Sequence, residues 1–291
     1  MNAWLIAIRP KTLLATIVPV LVGAACAINH GVVHAAPILA ALIGALLIQI
    51  GTNLANDRFD FEHGADRSDR LGPTRVVQAG LLTPQTVGRA AMLAFALATL
   101  VGVYLTIAAG PVIVVVGVAS ILSGLAYSGG PFPLAYHGLG ELFVMIFFGF
   151  VAVCGTAYVA AGTVPQLAYW ASIPVGALAS AILVVNNLRD QETDCRADKR
   201  TLAVRFGRRV ARREYIGLLL VSYLVPVGLL LALQTTVWIL LPWVTIPMAF
   251  RLIQQISTEE GRALNQRLEG TARLMLSYGI FFAIGLMHGA A

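Results

Sequence analysis

Long apolar runs, broken by short polar or Gly/Pro segments, dominate this chain. Several reach the roughly 20 residues that a helix needs to cross a bilayer. The pattern predicts nine spans, near residues 12–29, 36–57, 84–108, 111–127, 139–162, 166–189, 213–233, 237–255 and 271–289. Breaks at Ala108-Ala109-Gly110-Pro111, Gly162-Thr163-Val164-Pro165 and Gln234-Thr235-Thr236 are the punctuation of tight turns between antiparallel helices. The first run follows Arg9 and Lys11, as in a secretory leader. It continues to Ile28 through Pro19 and further spans follow, so it reads as a first membrane helix.

Charge tests this layout. With the N-terminus in the cytoplasm, the inside segments are roughly 1–11, 58–83, 128–138, 190–212 and 256–270. All 20 Lys and Arg fall in them or at the adjoining helix ends. The outside turns hold His30 and His34 but no Lys, Arg, Asp or Glu. This is the positive-inside asymmetry of a multi-pass protein of the cell (inner) membrane. Composition agrees: the 291 residues are 58% hydrophobic and 12% charged, against about 25% charged in a soluble domain. The net charge of +6 therefore belongs to membrane topology, and no nucleic-acid partner is expected. Cys26, Cys154 and Cys195 have neither zinc spacing nor a disulfide framework and read as plain thiols. The expected fold is all-α and polytopic, a single domain over 1–291 with nine helices around a central cavity and cytoplasmic cap loops. No obligate protein partner is evident.

Two stretches carry the chemistry. Spans two and six both run outside to inside, and each ends in an Asn four residues before an Asp: Asn56/Asp60 and Asn186/Asp190. Positions i and i+4 share a helix face, and Asp194 extends the second row by a turn. Asp66 lies past Gly64 and is expected on a loop. Asp57 stacks over Asn53, as either a further ligand or a partner of Arg58. Any one of these could be an ordinary polar residue at a helix end. Two matched sets bordering membrane spans point to function. Hard oxygen donors in this number suit Mg²⁺, which takes one or two carboxylates and completes its shell with water and substrate phosphate.

Cations surround both motifs: Arg58, Arg67, Arg70 and Arg75 after the first, Arg189, Arg196, Lys199 and Arg200 around the second. Arg75, Lys199 and Arg200 are candidate contacts to phosphate oxygens, Arg as a fork and Lys as a point charge. Lys11 is either an interfacial anchor or a further diphosphate contact. Arg205, Arg208, Arg209, Arg212 and Arg213 read as topology signal with attraction to anionic headgroups. The turn-rich loop 127–141 offers Tyr136, His137 and Glu141 near the same mouth, any of which could orient or deprotonate a phenol.

These motifs resemble the UbiA superfamily of intramembrane aromatic prenyltransferases along the whole chain. The carrying residues are Asn56/Asp60 after helix two and Asn186/Asp190/Asp194 after helix six. The next Asp comes six residues after Asp60, where the commonest pattern has four, and that spacing resembles the branch acting on 1,4-dihydroxy-2-naphthoate. The segments 9–13 (RPKTL), 51–57 (GTNLAND), 71–76 (LGPTRV), 129–134 (GGPFPL), 184–190 (VVNNLRD) and 199–204 (KRTLAV) resemble the same branch. The resemblance implies a polyprenyl diphosphate donor, a dihydroxynaphthoate acceptor and two Mg²⁺ bridging the diphosphate. Asn56, Asp57, Asp60, Asp66, Asn186, Asp190 and Asp194 are then the candidate ligands, with Asp60, Asp190 and Asp194 central to catalysis. Asn56, Asn186, Arg75, Lys199, Arg200 and Lys11 are the candidate diphosphate contacts. Other readings are the same chemistry on 4-hydroxybenzoate or another arene, a cation-coupled transporter, and a structural or lipid-binding protein. A transporter commonly places its ion site at the bilayer midplane in inverted repeats, whereas these motifs sit at one face in a parallel repeat.

Overall fold

The computed structural model describes residues 2–31, 33–66, 70–233 and 235–288, and every regular element among them is a helix. A short α1 (Ala3–Ile8) starts where the Asn2 side chain caps the Trp4 amide. Arg9 then takes a left-handed conformation (φ 52°), and Pro10 opens α2 (Pro10–Asn29), where its fixed φ suits a helix start. The chain continues through α3 (Ala35–Glu62), α4 (Pro84–Ala109), α5 (Val112–Ala126) and α6 (Gly140–Ala161). It ends with α7 (Gln166–Arg196), α8 (Leu202–Ala232), α9 (Val237–Thr258) and α10 (Gly261–Met287).

Helices α2 to α10 match the nine predicted spans in order. Eight are long and apolar enough to cross a membrane; α5, with 15 residues, is the short one. At 1.5 Å per residue it reaches about 22 Å, less than the roughly 30 Å of a hydrocarbon core. Outward-facing Ile107, Val115 and Leu231 are 82%, 70% and 75% exposed, as suits helices that face lipid. This is a multi-pass membrane protein.

Three departures from the sequence expectation matter. Helix α3 runs to Glu62 and α7 to Arg196, where the patterns ended at 57 and 189. Both motifs are therefore built on helical backbone throughout, Asp66 excepted. Helix α8 begins at Leu202, about ten residues before the expected span, and bends at Gly207 (φ 82°). Its first turns are thus a separate amphipathic segment at the membrane face.

Helix α7 is the central post. Its Val175, Leu178, Ala181 and Val185 are fully buried and pack into the main core with Tyr215, Tyr278 and Phe282. Small residues let α6 come close to it. A Cβ on Gly176 would sit 2.8 Å from the Met145 carbonyl oxygen and 3.1 Å from Gly149 Cα. At that crossing α6 widens into a π-helical stretch over Met145–Val151. Such wide turns shift the register of the side chains that follow. Here Phe147, Phe148 and Val151 line a cavity of about 1080 Å³ bordered by α2 to α7 and by α10.

Candidate active site

Asn56 and Asp60 lie one turn apart on the buried face of α3. Beyond the helix end, Gly64 adopts φ 70° and folds the chain back, so that the Asp66 amide donates to the Asp60 carbonyl at 3.2 Å. Asp66 thus stands beside Asp60. Asn186, Asp190 and Asp194 descend the matching face of α7. Asp60 and Asp66 meet Asn186, Asp190 and Asp194 around one small cavity of about 20 Å³, room for roughly one water or ion. This cavity adjoins the mouth of the 1080 Å³ cavity, whose rim includes Asn56, Asp60, Asn186, Arg70, Arg75 and Lys199, and whose walls are Ile48, Val101, Leu105, Ile113, Phe147 and other apolar groups.

Cations bind this acidic ring. Arg75 Nη2 donates to Asp60 Oδ2 at 3.3 Å, and its Nε lies 3.3 Å from Asp66 Oδ2. Arg70 pairs with Asp66. Arg189 holds Asp190 with two donors, at 2.8 and 2.5 Å, and also donates to Asn186 Oδ1 at 2.8 Å. Lys199 Nζ lies 3.9 Å from Asp194. Burial pushes the Asp66 carboxyl up to about 6, with Arg70 pulling the other way. Burial alone would lower the Lys199 ammonium. The Asp60, Asp194 and Asp190 carboxylates outweigh it and hold Lys199 above its ordinary value, so it stays charged. Tyr136 donates its hydroxyl to Asp60 at 3.1 Å, and burial with that carboxylate raises the phenol far above its usual range.

The pairing is incomplete. Asn56 Oδ1 and Asp194 Oδ2 are buried acceptors without a hydrogen-bond donor, and Arg70 Nε and Arg75 Nη1 are buried donors without an acceptor, while Arg75 Nε and Asp66 Oδ2 face each other without forming a hydrogen bond. Unmatched groups of both kinds in one place are costly unless a ligand completes them. Oxygen acceptors call for a hard cation and guanidinium donors for an anion, so the residues fit Mg²⁺ with a phosphorylated substrate. Among the described residues, no three His, Cys, Asp or Glu converge closely enough to cage a metal unaided. A shell completed by substrate oxygens is the arrangement this donor set suits.

The other candidates divide. Lys11 lines the mouth and pairs with Glu269 at its edge. Glu141 is buried against Asn187 behind the cavity wall. His137 stacks on Phe132 at 3.7 Å and faces the Pro133 carbonyl, away from both cavities. Arg200 points outward to Asp198 and lines neither cavity, because the left-handed turn at Asp198 sends it away. Asp57 also lines neither: its two oxygens accept the Val76 and Val77 amides, both at 3.2 Å. Set off from both cavities, Asp57 here is the anchor of the loop that carries Arg75. Arg67 lies outside the described residues.

The fold also delivers Asn265, to which the sequence pointed in no way. From the start of α10 it accepts from Arg189 at 2.9 Å and donates to the Leu71 carbonyl at 2.9 Å, tying the loop to the second motif. Only tertiary contact could reveal it, 76 residues from Arg189.

Residues 16–278 match the UbiA prenyltransferase family model. The chain belongs to the UbiA prenyltransferase family. It is 40% identical to the 1,4-dihydroxy-2-naphthoate octaprenyltransferase of Mycobacterium tuberculosis, covering 98% of this chain and 97% of that one. It is 36% identical to the Escherichia coli protein of the same name, over 98% and 95%. A UbiA homolog from Archaeoglobus fulgidus, solved bound to GPP and Mg²⁺, superposes with a TM-score of 0.66 at 14% identity, over 97% of this chain and all of that one. At that identity the likeness concerns the fold.

Asp57 gives a test of the UbiA-type loop. Replacing it with Ala leaves two buried amides without acceptors, at about 1–3 kcal/mol each. Hydrogen exchange over residues 75–80 should speed up by tenfold or more in D57A, with exchange in the middle of α7 unchanged.

Proposed function

We propose that this chain is a Mg²⁺-dependent 1,4-dihydroxy-2-naphthoate polyprenyltransferase of menaquinone biosynthesis. It would transfer a polyprenyl group from its diphosphate with loss of diphosphate and CO₂, giving demethylmenaquinol, the reduced form of demethylmenaquinone. One observation carries the reading. Both Asn/Asp motifs and their cations converge at the polar end of a long apolar cavity. The near full-length similarity to enzymes of that name supports the acceptor.

The shape suits the donor. Each buried CH₂ contributes about 0.8 kcal/mol, so a polyprenyl chain stays in lipid and only its head reaches the polar mouth. Asn56, Asp60, Asp66, Asn186, Asp190 and Asp194 would hold two Mg²⁺ there. When bound, these ions neutralise the diphosphate and make it a better leaving group. Arg75, Arg70 and Lys199 would take its remaining oxygens, and Lys11 stands at the rim to meet it. The C1–O bond then breaks with its electron pair leaving on diphosphate, and the allylic cation faces the electron-rich ring. The new C–C bond forms at the carboxylated carbon, and CO₂ departs. The apolar walls keep water from the cation, which would otherwise be hydrolysed. We read residues 1–291 as one domain in the cell membrane, with the N-terminus and this mouth on the cytoplasmic side, as the charge asymmetry supports.

In liposomes, a polyprenyl diphosphate with 1,4-dihydroxy-2-naphthoate and Mg²⁺ should yield CO₂ and a prenylated naphthoquinol, read as the quinone after oxidation by air, and EDTA should abolish both. Product from 4-hydroxybenzoate alone would overturn the acceptor assignment. Asp60→Asn and Asp190→Asn, measured separately, should each lower kcat about 100-fold or more, the scale of losing a group that stabilises developing charge. Near-normal turnover in either would reject the two-motif site. Orientation has its own probe in Cys195, exposed in the last turn of α7 next to Asp194. A membrane-impermeant maleimide should label it in inverted vesicles and spare it in intact spheroplasts.

A further inference from the structure

The long cavity has a second polar feature, set apart from the ring of carboxylates. Asn187 follows Asn186 on α7, so its side chain is turned about 100° away from the Asn186/Asp190 row. It lines the long cavity but not the small one at the mouth. Tyr127, just past α5, does the same. Its hydroxyl lies 3.3 Å from where a Cβ on Gly140 would stand, so the ring packs over the bare start of α6. One residue further on is Glu141, only 6% exposed.

Glu141 Oε1 accepts from Asn187 Nδ2 at 2.7 Å. The backbone behind it is held by Ser180, whose hydroxyl donates to the Glu141 carbonyl at 3.1 Å. With Nδ2 committed to Glu141, the amide of Asn187 has one orientation, and its carbonyl oxygen is turned from the carboxylate. Glu141 Oε2 is buried and has no donor at all. The neighbouring wall is aromatic, with Phe143 and Phe147 stacked at 6.0 Å along the same cavity.

Polar groups set in an apolar wall are costly unless a ligand matches them. A polyprenyl tail has no polar atom to offer. A diphosphate carries only acceptors, and the Asn187 carbonyl oxygen has no hydrogen to give them. A hydroxylated arene satisfies both demands, since its ring suits the Phe wall and its O–H needs an acceptor. We infer that Asn187 and Tyr127 form the hydroxyl-binding end of the aromatic acceptor subsite, with Glu141 as the positioning residue that fixes the Asn187 amide. The acceptor's carboxylate then faces the cationic mouth, and its ring lies beside the carbon that leaves diphosphate. This inference rests on the prenyltransferase reading above and specifies where its acceptor binds.

The test is steady-state kinetics on the full chain in liposomes, varying 1,4-dihydroxy-2-naphthoate and the polyprenyl diphosphate in turn. Asn187→Leu should raise the acceptor KM about tenfold, the usual worth of a lost polar contact. The diphosphate KM should stay within about twofold. Tyr127→Phe should raise the acceptor KM severalfold. Glu141→Gln can still accept from Asn187 Nδ2 and should behave nearly as the parent, whereas Glu141→Leu should copy Asn187→Leu. A changed diphosphate KM, or a fall in kcat with the acceptor KM untouched, would overturn the subsite. Should Asn187→Leu fail to fold, an unchanged acceptor KM in both Tyr127→Phe and Glu141→Leu would overturn it equally. A parent enzyme that prenylates no arene would overturn the underlying reading instead, so the two failures are distinct.

Discussion

The site depends on a charge balance held in a poorly solvated place. Asp60, Asp66, Asp190 and Asp194 face Arg70, Arg75, Arg189 and Lys199 across the membrane-face mouth. Each ion taken from water costs several kcal/mol, and only close, well-donated partners offset that. Removing any one charge leaves its partner exposed to the full cost. The geometry is nevertheless not that of a finished salt-bridge network: Arg75 shares itself between Asp60 and Asp66 at 3.3 Å, and several of the surrounding donors and acceptors are orphaned. Such a ring is stable enough to exist and loose enough to be rearranged by a ligand that brings both signs of charge.

That requirement explains several otherwise unrelated features of the fold. The loop carrying Arg75 seats Val76 and Val77 in an apolar cluster with Leu54 and Phe95, and Asp57 and Asn265 pin its backbone from two sides. Arg189 is locked by Asp190, Asn186 and Asn265 together, which orders the second motif. The close α6–α7 crossing at Gly149 and Gly176 lets α6 place its π-helical turn against the cavity. Polar order at one end and apolar space behind it are complementary demands of the proposed substrate, a diphosphate on a hydrocarbon chain.

The sequence by itself determined the order of the nine apolar helices α2 to α10, because a membrane span needs a minimum apolar length and shows itself as a run; the short α1 gave no such run. It also indicated where the chemistry clusters. Asn56/Asp60 and Asn186/Asp190/Asp194 repeat at helical spacing, and carboxylates bordering lipid are rare enough to stand out. The extent of α3 and α7 beyond the membrane was hidden, since apolar patterning ends where the lipid does while a helix need not.

Only the tertiary structure decided which neighbouring residues face the site. Asp57 and Asp60 are three residues apart, yet one takes two backbone amides and the other faces the cavity. Lys199 and Arg200 are adjacent, and the left-handed turn at Asp198 sends one inward and the other to solvent. His137 looked like a base but is spent on stacking and a carbonyl. Asn265 gave no local signal, because its role exists only where α10, α7 and a distant loop meet. Periodicity fixes which residues share a helix face, but the direction of that face, and of every loop side chain, is set by contacts distant in the chain.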